Sequence, residues 1–385
     1  MNLCSELYAH ACNINVISTH SHHDYHEAFE NFNLKALTYV SYPKWYSPAL
    51  KDLEESEYWK RYFEINSCCS SSYWLNRALG DIYLDGTPMC LENYKEIDAR
   101  MREKYTQDPY FHEKIITDIC HLETLIMDEH RDPGMTHDLP FVRPSMRMDW
   151  ALSASSHAKQ LLGNLPDSFS EYLDAVDAFI DKRVREQGVV AFKLACAYER
   201  PLDFKKVSYE EAEQAYLSDK NRNLGDYMVY HICELALSYD LPFQFHTGYG
   251  QLRGTAALNL LELIRDFPDL KFVLLHCSFP WTADSIALAY TLPNVYIDLS
   301  WLFTVSDAAG RRYLQEAFDA VPLDRFAWGC DTWTAEEGYG ALLAVRHALA
   351  NEFSRRVGEG LLTISYAKRG IEMILHDNPK ELYKL

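Results

Sequence analysis

Leu241-Pro-Phe-Gln-Phe-His246-Thr-Gly-Tyr-Gly250 decides the fold, together with the Lys271-Phe-Val-Leu-Leu-His276-Cys-Ser278 that follows it. Each is a short apolar run without helical period that closes on a histidine, then passes through small or turn-forming residues into a helical pattern. A βα unit presents a functional side chain in this way. A single histidine at a strand end is more often structural than a ligand, so the weight lies in the repetition.

Upstream, Asn13-Ile-Asn-Val-Ile-Ser18 predicts a first strand that runs into Thr19-His20-Ser21-His22-His23-Asp24. In an extended chain side chains alternate, so His20 and His22 project to one side and two imidazoles can reach one ion. The alternative is an exposed histidine-rich loop, since His23 and His26 crowd the same stretch. Further strands are expected at Leu122–Met127, at Leu139–Met146 ending in Arg147, at Gly188–Leu194 carrying Lys193, at Asn294–Leu299 and at Arg325–Asp331. Helical patterns separate them, among others over Phe169–Arg185, Tyr227–Tyr239 and Glu336–Phe353. Eight strand candidates, each followed by a helical segment, predict a parallel (β/α)8 TIM barrel.

Between the first two strands the character changes. Residues 29–108 interleave aromatics and charges, as in Tyr58-Trp-Lys-Arg-Tyr62-Phe63, at a spacing nearer 3.6 than 2. This predicts a helical insertion or cap after the first strand, its aromatics mostly packing. No Pro-, Gly- or Ser-rich linker divides residues 1–385, so a single barrel domain is expected.

Composition narrows the function classes. With 48% hydrophobic residues the 385-residue chain can bury a large core. A formal charge of -19 argues against sequence-independent nucleic-acid binding, which needs a basic face, and favours a small-molecule substrate. No apolar run approaches the roughly 18 residues of a membrane span, and the start lacks the order of a secretory signal, so a cytoplasmic protein is expected. A homo-oligomer is compatible with this composition. The ten cysteines are expected to be reduced thiols: Cys196, Cys277 and Cys330 follow apolar runs and no Cys-x-x-Cys occurs.

In a barrel of this type the active site lies at the carboxyl ends of the strands, so His20, His22, Lys193, His246, His276 and Asp331 are expected to converge. Histidines and a carboxylate suit Zn2+ and similar divalent ions. The set resembles the amidohydrolase superfamily of metal-dependent barrels. The order His-x-His, Lys, His, His, Asp matches strand by strand, and the stretches from Phe192-Lys193 to Gly329-Cys-Asp331 resemble the amidohydrolase-2 branch of hydrolases and decarboxylases, with uronate isomerases as more distant relatives. The resemblance covers the carboxyl-terminal half well and the amino-terminal half only through His-x-His.

That resemblance implies that His20, His22, His246 and Asp331 bind one divalent ion, zinc first, with Asp331 also taking the proton of the attacking water. It implies that His276 polarises or protonates the substrate, or binds a second ion. A carbamylated Lys193 would bridge two ions; an unmodified one would face substrate or pair with a barrel carboxylate. Arg147 could clamp a substrate carboxylate, or pair with Asp149 or another barrel acid. Tyr249, Trp281 and Trp333 are candidates for the pocket wall.

The expected activity is hydrolysis of a C–N or ester bond in a small polar, carboxylate-bearing molecule. Decarboxylation, aldose–ketose isomerisation and a catalytically silent ligand-binding barrel are the alternatives. Gly248-x-Gly250-x-x-x-Gly254 has one residue too many for a dinucleotide fingerprint, and the next strand ends in His276 rather than an acid for the ribose.

Overall fold

A computed structural model describes residues 2–23, 29–45, 50, 53–129, 139–218 and 221–385. Asp24 and His26 lie outside the described residues. Eight parallel strands run in sequence order in one sheet: β1 (Val16–Ser21), β2 (Leu122–Asp128), β3 (Val142–Arg147), β4 (Ala191–Leu194), β5 (Phe243–His246), β6 (Phe272–Leu275), β7 (Val295–Asp298) and β8 (Phe326–Ala327). This is the (β/α)8 barrel. The β2–β3 connection falls mostly outside the described residues.

Strand bounds differ from expectation at several places, and at β1 and β8 the difference moves candidate site residues. β1 starts and ends three residues later than predicted, so that His20 lies within the strand and all six of its residues are buried. β8 is two residues long, which leaves Asp331 in the following loop rather than at a strand end. The helix Leu3–Cys12 ahead of β1 was not anticipated, and Asp307–Ala320 takes the helical place expected after β7. In the first, Asn2 caps by accepting from the Ser5 N–H at 2.8 Å.

Contacts divide the chain into two compact units. The first comprises Met1–Glu123, Ser300–Glu316 and Trp328–His376. Here β1 bonds to the loop after β8: Thr19 N donates to Trp328 O (3.1 Å), Asp331 N to His20 O (2.9 Å) and His22 N to Thr332 O (3.0 Å). Gly329 permits the approach, because a Cβ there would lie 2.5 Å from His20 N. Residues 29–119 carry helices, including Glu55–Asn66, Ser70–Tyr83 and Tyr94–Gln107. Their aromatics form a core of their own: Tyr58, Trp59, Tyr62, Tyr83, Tyr94 and Tyr105 are all buried with Leu75, Leu79, Ile97 and Met101.

The second unit comprises Thr124–Leu299, Ala317–Ala327 and Asp377–Leu385. Strand alternation decides what this unit turns inward. Ile126, Ala191, Val273 and Leu275 form a buried cluster with Leu382 and Tyr383 of the last helix, while Gln244 bonds to Ser145 Oγ (3.1 Å) and the Tyr383 hydroxyl (2.8 Å). Two residues further along, on the same face of each strand, stand Asp128, Arg147, Lys193 and His246. Apolar and amide side chains thus fill the inward face at one level, and ionisable groups occupy it at the carboxyl ends. Among the described residues no helix is long and apolar enough to cross a membrane.

Candidate metal centre

In the first unit, His20, His22 and Asp331 converge, their candidate ligand atoms all within 4.8 Å of one another. Asp331 Oδ1 lies 3.4 Å from His20 Nε2 and 3.1 Å from His22 Nε2. The His20 and His22 rings meet edge to face at 4.7 Å, as the alternation of β1 requires. Two imidazole nitrogens and a carboxylate oxygen directed at one another in a buried site fit a divalent cation of the zinc type.

The loop carrying Asp331 is held from several sides. Asp331 has φ +50, a left-handed conformation that costs a non-glycine residue about 1–3 kcal/mol and persists where surroundings impose it. Its N–H is taken by His20 O, and its carbonyl accepts the Tyr42 hydroxyl at 2.7 Å. Ser21 Oγ also donates to Thr332 O (3.1 Å), His23 Nε2 meets Thr332 Oγ1 at 3.0 Å, and the Trp333 indole stacks on His22 at 4.9 Å. Burial, then the nearby His22, pushes the His23 imidazole down to about 3, so His23 is a neutral prop. Tyr42 lies in the helical region after β1, and nothing in its sequence neighbourhood marks it.

In the second unit, His276 Nε2 lies 2.9 Å from His246 Nδ1, and His246 Nε2 bonds to the Tyr249 carbonyl. A carbonyl only accepts, so His246 carries its proton on Nε2; in its neutral form Nδ1 then accepts from His276 Nε2–H. Ligation of an ion by His246 therefore requires one of these two bonds to be given up. His276, Cys277 and Ser278 are consecutively left-handed, with φ +65, +52 and +58. Thr247 Oγ1 accepts from Ser278 N (3.1 Å), Ser278 Oγ accepts from Ala257 N (2.7 Å), and Ser285 Oγ donates to Cys277 O (3.0 Å). Gly248 makes room, since a Cβ there would fall 2.1 Å from Phe279 O.

The other candidates sort as follows. Arg147 grips Asp128 bidentately through Nε and Nη2 and lies 3.8 Å from Asp149. Burial works against its charge, but Asp128 outweighs it and the guanidinium pKa is raised. Burial likewise raises the Asp149 carboxyl, opposed by Arg147 and by the Ala195 N–H. Lys193 is buried on β4. Tyr249 offers its carbonyl to His246 while its ring meets Phe279, and Trp281 is 37% exposed. Tyr198, not singled out from the sequence, lies against the His246 ring at 4.6 Å.

The family model described as amidohydrolase matches residues 147–385, more than half of the chain. The chain belongs to the amidohydrolase family. Protein fluG of Emericella nidulans is 30% identical over 244 residues, 57% of this amidohydrolase chain and 28% of that protein, so the chain spans little more than a quarter of this curated relative's length. Among solved structures, a uronate isomerase from Thermotoga maritima shares the fold at TM-score 0.83 with 16% identity, covering 100% of this chain and 98% of that one. A Lactobacillus casei protein assigned as a metal-dependent hydrolase does so at 0.73 with 22% identity and the same coverage. A glucuronate isomerase from Caulobacter crescentus follows at 0.79 with 18% identity, covering 99% and 94%. The chain is thus a barrel of the amidohydrolase family whose residues His20, His22 and Asp331 form a candidate site for a divalent cation.

Proposed function

We propose that this amidohydrolase hydrolyses a C–N or ester bond in a small, polar, carboxylate-bearing molecule, with one divalent ion, zinc, held by His20, His22 and Asp331. The observation that carries the reading is the convergence of two imidazoles and a carboxylate within 4.8 Å. When bound there, the ion supplies a Lewis acid that polarises a carbonyl oxygen and makes water more acidic.

The chain's own groups do the rest. Asp331, one of the three residues that would hold the ion, accepts the proton of the attacking water, a step for which its position among the ligands suits it. Asp331 passes that proton on to the leaving group, while His276, released from its pairing with His246, polarises the substrate carbonyl through its Nε2–H. Arg147, its fork already engaged by Asp128, shapes the end of β3 rather than clamping substrate. Lys193 faces substrate unmodified. The ligand is a small molecule rather than nucleic acid, as the charge of -19 favours.

Turnover of amides, lactones, uronates and unsaturated carboxylic acids by the zinc-loaded protein in 18O-labelled water tests the reading. Hydrolysis places one labelled oxygen in the product. Carbon dioxide release without label in the remaining fragment, or aldose–ketose interconversion without label, would replace hydrolysis by decarboxylation or isomerisation. No turnover of any class by fully loaded protein would favour a silent barrel.

A further inference from the structure

We propose that Glu337, acting through Tyr42, is a positioning residue for Asp331, setting the orientation in which its carboxylate meets His20 and His22; the proposal rests on the assignment of these three residues to the metal. Glu337 lies in the first turn of the Ala335–Gly358 helix, and Thr334-Ala-Glu-Glu337 has the spacing of a capping box. In that motif the glutamate reaches back to the N-cap's own N–H. The structure keeps half of it: Thr334 Oγ1 accepts from Glu337 N at 3.3 Å. The Glu337 carboxylate goes elsewhere. Oε1 accepts the Tyr42 N–H at 2.9 Å, across 295 positions of sequence, and Oε2 accepts the Trp333 N–H at a long 3.5 Å.

These bonds close a ring around Asp331. Glu337 fixes the Tyr42 backbone, the Tyr42 hydroxyl donates to Asp331 O at 2.7 Å, and Trp333, two residues beyond Asp331, returns to Glu337. Inside the ring sits a left-handed residue, φ +50, whose carboxylate must meet two imidazoles. Such a backbone needs outside restraint, and Glu337 together with Tyr42 provides it. Helix capping alone would not call for a buried carboxylate whose shortest contact lies outside its own helix. The neighbouring glutamate serves as an internal contrast: Glu336 accepts the Tyr83 and Tyr105 hydroxyls at 2.7 and 2.9 Å, so its carboxylate ties down helices of the region between β1 and β2.

The test is the zinc affinity of the purified full chain, measured by competition with a chelating dye, for Y42F, E337Q, the double variant and two controls, H20A and Y83F. E337Q replaces one acceptor by an amide NH2 that would face a backbone N–H; Y42F removes only the hydroxyl. Each is expected to weaken zinc binding, Y42F by about 10-fold and E337Q by about 10- to 100-fold, the usual cost of losing a group that orients a ligand. The double variant is expected to lose much less than the product of the two, because both act on Asp331 through one ring. Y83F is expected to bind zinc as the unaltered chain does. Wild-type affinity in Y42F and E337Q with H20A devoid of zinc would overturn the positioning role while sparing the metal assignment. Unchanged affinity in H20A would overturn the metal assignment itself. Should E337Q fail to fold, Y42F decides alone, and fold-changes that simply multiply in a folded double variant count against the proposal.

Discussion

The two histidine groups of this chain are built differently. His20, His22 and Asp331 come from opposite ends of the sequence, include a carboxylate, and are locked by backbone bonds between β1 and the loop after β8. His246 and His276 come from adjacent βα units, pair with each other through ring nitrogens, and are set by a local run of left-handed residues and by the Tyr249 carbonyl. The first arrangement gathers donors around a point; the second lines up a proton. This difference separates gathering ligands for an ion from holding a hydrogen bond between two imidazoles, and it is open to direct attack.

The largest expected effect comes from deleting a donor. H20A should lose metal and turnover together, whereas H276A should keep its metal and lose turnover by about 10²- to 10⁴-fold, the usual worth of a positioned acid or base. Metal content by mass spectrometry and turnover on the same preparations check both. Equal metal loss in the two variants would erase the distinction between the groups.

Next comes D331N, which keeps an oxygen donor and removes the base. It should retain most of the metal while turnover falls by about 10²- to 10⁴-fold. Full occupancy with near-normal turnover would move the proton transfer elsewhere, His276 being the first residue to examine.

The smallest effects sharpen the comparison through the backbone. G329A would place a Cβ 2.5 Å from His20 N, and G248A would place one 2.1 Å from Phe279 O at a residue with φ +84. Each should cost about 1–3 kcal/mol of stability in chemical denaturation. Only G329A should also weaken metal binding, because only it displaces β1. Weakened binding in G248A alone would reverse the assignment.

Much of this was legible in the sequence because strand alternation is local. His20 and His22 share a face by spacing alone, and apolar runs ending in histidine at 246 and 276 marked β5 and the end of β6. Asp331 was read as the end of a strand, whereas β8 has only two residues, and a left-handed Asp331 in the loop after it, with Gly329, carries the carboxylate back to β1. Of the partners of Arg147, Asp149 was named from its proximity in sequence, while Asp128, which it grips, was readable only as another barrel acid, since the β2–β3 register that brings Asp128 beside Ser145 is a tertiary property. Tyr42 and Glu337 were illegible for the same reason. Tyr42 sits among aromatics that mostly pack, and Glu337 carries the spacing of a local cap while its carboxylate bonds 295 positions away.

The most direct test of the account is an anomalous-scattering map at the zinc edge from crystals of the zinc-loaded chain. The account predicts a peak about 2.0–2.2 Å from a ring nitrogen of His20, a ring nitrogen of His22 and a carboxylate oxygen of Asp331. A peak bound without Asp331, with its carboxylate turned away from the two β1 histidines, would contradict it.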